Sequence, residues 1–71
     1  VPNPYKRLAY SRKVLVNLKT GRAFRGYLIE VSGSIVLLKG ASLLEPGSEP
    51  VDVAGEVLIE RENIDFIQVT E

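Results

Sequence analysis

Apolar and polar residues alternate with a period of two along most of this chain, the pattern of half-buried β-strands. In Val14-Leu15-Val16-Asn17-Leu18, the side chains of Val14, Val16 and Leu18 point one way and those of Asn17 and Lys19 the other. The alternation predicts a first strand over 14–19. Lys19-Thr20-Gly21-Arg22 then reads as a tight turn, with Gly21 supplying a positive φ. A second strand is expected over 23–31, with Phe24, Gly26 and Leu28 on one side. Glycine near the middle of so long a strand marks a bend or a bulge. Ser32-Gly33-Ser34 forms the next turn and leads into a third strand over 34–39. Its run Ile35-Val36-Leu37-Leu38 is apolar on both faces and needs cover on both, as at the centre of a bent sheet. Residues 40–55 read as a loop, because Pro46-Gly47 and Pro50 interrupt regular structure. Within it, Leu43 and Leu44 either pack locally or lie at a subunit contact. Strands over 56–61 and 64–69, joined at a Glu62-Asn63 corner, close the chain.

Upstream, Asn3-Pro4 is a helix-start signal, since Asn caps free amides and Pro fits the first helical position. A short helix is expected over about 4–10, with Tyr5, Leu8 and Ala9 on one side. Two turns do not survive without docking on an apolar surface. The order is therefore a short helix and five short strands in one all-β domain spanning residues 1–71. Such an order gives either a two-sheet sandwich or a small, strongly bent barrel. Gly26 in the long second strand favours the barrel.

Composition narrows what this domain can do. Chains of 71 residues are marginally stable without a disulfide, a metal or a partner. There is no Cys and no His, which excludes disulfides, thiolate chemistry and the usual zinc ligand sets. Oligomerisation is the remaining source of help. The absence of Cys fits a reducing, cytoplasmic compartment. No apolar run approaches the ~20 residues of a membrane helix, and residues 1–7 lack the long apolar core of a signal peptide. No cofactor or metal is expected, nor a membrane partner.

The nine basic and nine acidic residues cancel, but they are segregated along the chain. Residues 1–39 carry Lys6, Arg7, Arg12, Lys13, Lys19, Arg22, Arg25 and Lys39 against Glu30 alone. From residue 40 onward, Glu45, Glu49, Asp52, Glu56, Glu60, Glu62, Asp65 and Glu71 stand against Arg61 alone. Either the segregation vanishes on folding, leaving two ordinary solvated surfaces, or it survives as a basic face for an anionic partner.

With its strands laid out in this way, the chain resembles the Sm/LSm family of small barrels that includes bacterial Hfq. The resemblance covers nearly the whole sequence. Its first motif is Val14-x-Val16-x-Leu18-Lys19-Thr20-Gly21-Arg22-Ala23-Phe24-Arg25-Gly26-Tyr27-Leu28, and its second, weaker motif is Val57-x-Ile59-x-x-x-x-Ile64-x-x-Ile67. The resemblance implies an SH3-like, five-stranded barrel with an N-terminal helix. It also implies hexameric or heptameric rings that pair strand 56–61 of one subunit with strand 64–69 of the next. The interface residues so implied are Val57, Leu58, Ile59, Ile64, Phe66 and Ile67.

Family members bind single-stranded RNA where the turn between the second and third strands meets the second motif. Here Ser32 stands near the family's Asp and Ser34 near its base-contacting Asn, with no stacking ring between them. Glu60 takes the place of the Arg that completes a uridine pocket, and Arg61 takes that of the following Gly. The implied RNA contacts are Ser32, Ser34 and Arg61, with Lys6, Arg7, Arg12 and Lys13 near the helix and Lys19, Arg22 and Arg25 around the first hairpin as phosphate-attracting cations. A carboxylate at Glu60 works against RNA. Two functions therefore stand side by side: a ring that binds single-stranded RNA, or a ring that serves as a structural or protein-binding adaptor. Catalysis is not expected, because Glu56, Glu60, Glu62 and Asp65 have no nucleophile, His or phosphate-cradling loop beside them.

Overall fold

The computed structural model describes residues 12–70, and these form one antiparallel sheet of six strands. The strands are β1 (Lys13–Leu18), β2 (Ala23–Ser32), β3 (Ile35–Leu44), β4 (Val51–Asp52), β5 (Glu56–Glu60) and β6 (Ile64–Val69). A 3₁₀ turn at Arg61–Asn63 joins the last two. The helix expected over 4–10 lies outside the described residues, as do Lys6 and Arg7.

The sheet order is β4-β3-β2-β1-β6, with β5 also paired to β3. β3 thus holds two partners on one edge: Ile35–Lys39 pair with β5, and Ser42 and Leu43 pair with β4. Its other edge pairs with β2 along its whole length. Alternation decides what goes inside. Val14, Val16, Leu28, Val36 and Leu38 are fully buried, and Ile59 of β5 joins the same cluster. Ile64 and Ile67 of β6 pack against it, so the sheet curls until its two ends share one core.

The strand plan differs from the sequence expectation. Six strands form rather than five, and the stretch 40–55 is not all loop. Gly40, where the expected loop begins, has a φ of +61° and lies in a bulge instead of a turn. Between the pairs Arg25↔Ser42 and Tyr27↔Lys39, β3 spends one residue more than β2. Gly26 makes room for that extra residue: a Cβ there would stand 3.0 Å from Ala41 Cα and 3.1 Å from the Lys39 carbonyl oxygen. The strand therefore continues to Leu44, where Leu43 and Leu44 pair with Phe24 and Ala23. Irregular chain begins only at Glu45, around Pro46-Gly47. β4 then returns alongside β3, fixed by the Ser42 hydroxyl donating to Asp52 Oδ1 at 2.8 Å.

The strand expected over 56–61 ends one residue early. The Arg61 amide donates to the Ser34 carbonyl at 2.7 Å and starts the 3₁₀ turn. Three strands keep an unpaired edge among the described residues: the two-residue β4, and the longer β5 and β6.

Candidate nucleic-acid interface

The turn at Ser32–Ser34 and the corner at Glu60–Arg61 are far apart in sequence and meet at one pole of the barrel. Register brings them together, because Ile35 at the start of β3 stands opposite both Ser32 of β2 and Glu60 of β5. At this pole the Ser34 hydroxyl donates to Glu60 Oε2 at 3.4 Å. The Arg61 guanidinium donates through Nη1 to the Gly33 carbonyl at 3.3 Å. Ser32, Ser34, Glu60 and Arg61 are all exposed. The pole therefore offers a hydroxyl, a carboxylate and a guanidinium side by side, with no aromatic ring among residues 32–34. A carboxylate only accepts hydrogen bonds and a guanidinium only donates them, so the pair presents both signs to an incoming polar group.

The other expected contacts lie elsewhere. Arg12 is exposed, and its carbonyl accepts from the Leu28 amide at 3.1 Å. Lys13 stands opposite Tyr27 on β2. Lys19 and Arg22 flank the β1–β2 turn, where the Leu18 amide donates to the Arg22 carbonyl at 2.8 Å. The Lys19 amide donates to the Asn63 carbonyl at 2.9 Å, which sets this turn beside the corner that follows Arg61, while Lys13 and Arg25 lie on the strands.

Of the expected interface residues, Ile59 is buried, and Val57, Ile64 and Ile67 pack on the barrel's own core. Leu58 and Phe66 point outward and are 68% and 55% exposed. Both sit on strands with an unpaired edge.

On the sheet the two signs fall mostly on different strands and meet at the boundary, where Lys39 stands opposite Glu56. The cations Lys13, Arg25 and Lys39 belong to β1–β3, which are contiguous in the sheet, whereas Asp52, Glu56, Glu60 and Asp65 belong to the flanking strands. Tyr27 and Lys39 were not singled out from sequence. The signal was present in Arg25-Gly26-Tyr27, since alternation places Arg25 and Tyr27 on the side opposite Phe24 and Leu28. Among the described residues, no group of acidic side chains is arranged to hold a metal ion, and no helix is long and apolar enough to cross a membrane.

No protein-family model matches the chain, and no curated protein matches it by sequence. Solved structures do. A Pyrococcus abyssi Sm protein in complex with a uridine heptamer is 32% identical, with 99% of each chain covered and a TM-score of 0.82. A heptameric archaeal Sm protein is 23% identical, covering 97% of this chain and 100% of its own, again with a TM-score of 0.82. A chain of the NatC complex bound to CoA is 19% identical over 100% of this chain and 88% of its own, with a TM-score of 0.79. The last two likenesses speak for the fold alone. The first extends shared sequence over essentially the whole length of both proteins, on the same curled sheet, and by it the chain belongs to the Sm/LSm-like family.

Proposed function

We propose that copies of this chain close into a ring that binds single-stranded RNA, with the open edge of β5 in one copy pairing to the open edge of β6 in the next. The observation that carries this reading is the open edge that each of these strands keeps, with the exposed apolar side chains Leu58 on β5 and Phe66 and Val69 on β6. An open edge is a template for another chain, and a repeated head-to-tail contact closes into a ring when its rotation permits. That one similar protein is heptameric and another is in complex with a uridine heptamer supports both halves of the reading. Six or seven copies are expected. Leu58 and Phe66 become buried at the contact. Val57, Ile59, Ile64 and Ile67 contribute their backbone while their side chains stay in the barrel.

RNA is assigned to the pole, with Ser32, Ser34 and Arg61 as polar contacts. Arg12 and Lys13, with Lys6 and Arg7, attract phosphates. The proposed role is binding, with no catalytic step.

One observation favours a second reading, a ring that docks proteins and ignores RNA. Glu60 places a carboxylate at the pole, where it repels phosphate. The missing aromatic also forgoes the ~1–3 kcal/mol per base that a stacking platform supplies.

Two measurements separate these readings. Native mass spectrometry reports the number of copies and any nucleic acid carried through purification. A stable monomer at tens of micromolar would end the ring proposal. Titration of a uridine oligomer at two salt concentrations should show tighter binding by Glu60→Arg and weaker binding by Arg61→Ala. Weak binding that ignores both substitutions removes RNA from the pole and leaves the adaptor.

A further inference from the structure

The outward side of β1–β3 carries a row of side chains away from the turn and corner that form the pole, and Lys13 alone among them is also assigned to attracting phosphates there. Lys13, Tyr27 and Lys39 are successive cross-strand partners on β1, β2 and β3. Directly opposed residues project from the same side of a sheet with Cβ atoms about 4.5–5.5 Å apart. A tyrosine ring therefore stands between two lysines. Arg25, two residues back on β2, projects from the same side and adds a third cation. Tyr27 is 43% exposed although its strand is paired on both edges. Its neighbour across the bulge, Gly40, has no side chain to cover it: a Cβ there would lie 3.8 Å from Tyr27 Cδ2. The bulge that bends β3 thus leaves one side of this ring open.

Carboxylates bound the row. Lys39 stands opposite Glu56 of β5, and the Arg25 row ends at Asp52 of β4, past Ser42. Along β2 itself, Glu30 follows beyond the second register shift. The result is a strip of three cations around one aromatic ring, three strands wide, with acid at its borders. An apolar peptide would have to desolvate the lysines, and an acidic protein would leave the ring unused. A duplex keeps its base faces stacked inside. A single strand offers both a flat π-face and a phosphate on each side of it.

We infer that this strip is a second nucleic-acid surface, on which one base of a single strand stacks on Tyr27 while Lys13, Lys39 and Arg25 hold the flanking phosphates. It is separate from the pole at Ser34, Glu60 and Arg61, and either surface can fail without the other.

The test uses the assembled protein with a fluorescent ten-nucleotide RNA and a DNA of the same sequence, read by anisotropy. Tyr27→Ala should weaken binding by about 5- to 150-fold, and Tyr27→Phe, which keeps the ring, by no more than about twofold. Arg25→Gln and Lys39→Gln should each flatten the dependence of log K on log salt by about 0.7. In parallel, a 4-thiouridine RNA should cross-link to the parent protein within the peptide that contains Tyr27, a readout independent of any variant's folding. Cross-links confined to residues 32–34 and 61, with Tyr27→Ala binding like the parent, would overturn the inference and leave the pole intact. Cross-links at Tyr27 together with indifference to Arg61→Ala would support the inference and remove the pole. If neither RNA nor DNA binds the parent, both assignments fall. Dissociation of the assembly by Tyr27→Ala would make this face a subunit contact and overturn the inference as well.

Discussion

The three central strands and the two flanking strands of this barrel stand in different situations. β1, β2 and β3 are paired on both edges, and Val14, Val16, Leu28, Val36 and Leu38 have no exposed surface at all. β5 and β6 are paired on one edge each and turn Leu58 and Phe66 to the outside. The outward cations Lys13, Arg25 and Lys39 ride on the centre, and Glu56, Glu60 and Asp65 ride on the flanks. The difference teaches that the centre is complete within one copy and the flanks are not. So short a chain has little core, and in the proposed ring the open edges are where a second copy adds a partner.

The strongest way to break this contrast is to cut into both regions equally. Leu38→Ala removes a fully buried side chain from the centre and should cost about 2–5 kcal/mol in urea unfolding. Leu58→Ala, measured below the concentration at which copies associate, should change stability by no more than about 0.5 kcal/mol. Equal losses would mean that β5 is as finished as β3.

Gly26→Ala comes next, at about 1–3 kcal/mol of destabilisation. The new methyl would press on Ala41 and on the Lys39 carbonyl at about the 3.0–3.1 Å found for a built Cβ, and both contacts are largely backbone that cannot swing aside. Urea unfolding again reads the effect. A neutral substitution would show that the bulge in β3 has room to relax and does not fix the bend.

The same glycine shows where the sequence was legible. Alternation gave β1 and β2 nearly to their ends, because each side chain there is either in the core or out of it. Gly26 signalled a bend correctly. The residue that executes the bend is Gly40, and a glycine at the end of an apolar run looks like a stop. Only the pairing of Ala23 and Phe24 with Leu44 and Leu43 keeps β3 going. β4 had no signal, since two residues hold no period. The pole was visible through the family resemblance, yet its local geometry depends on a register, Ile35 against Glu60, that no single segment encodes. Tyr27 carries no signal of its own, because an aromatic in a strand is ordinary. Its position between Lys13 and Lys39 exists only after three strands are aligned.

Substitution at the flanks sharpens the contrast from the other side. Leu58→Asp or Phe66→Asp places a charge on an outward position and should leave the barrel folded, with the circular dichroism of the parent. Association should weaken by at least about tenfold, equivalent to ~1.4 kcal/mol, in sedimentation across a concentration series. Loss of folding together with loss of association would mean that these two residues belong to the core.

The smallest effect divides the two regions by the sign of their response to salt. Joining β5 of one copy to β6 of another brings Glu56 and Glu60 toward Asp65, with Glu62 at the corner between the strands. Like charges placed opposite one another cost roughly 0.2–1 kcal/mol. Raising ionic strength from physiological to 1 M shortens the screening length from about 8 to about 3 Å and should relieve that repulsion. The assembly should therefore tighten by up to about fivefold. Nucleic acid held by Lys13, Arg25 and Lys39 should respond in the opposite direction, because each phosphate contact releases counterions whose return salt favours. Measured on one preparation, sedimentation and anisotropy should diverge as salt rises. If assembly and nucleic-acid binding weaken together, the cations are taking part in the subunit contact, and the division into a basic centre and acidic flanks does not describe how copies meet.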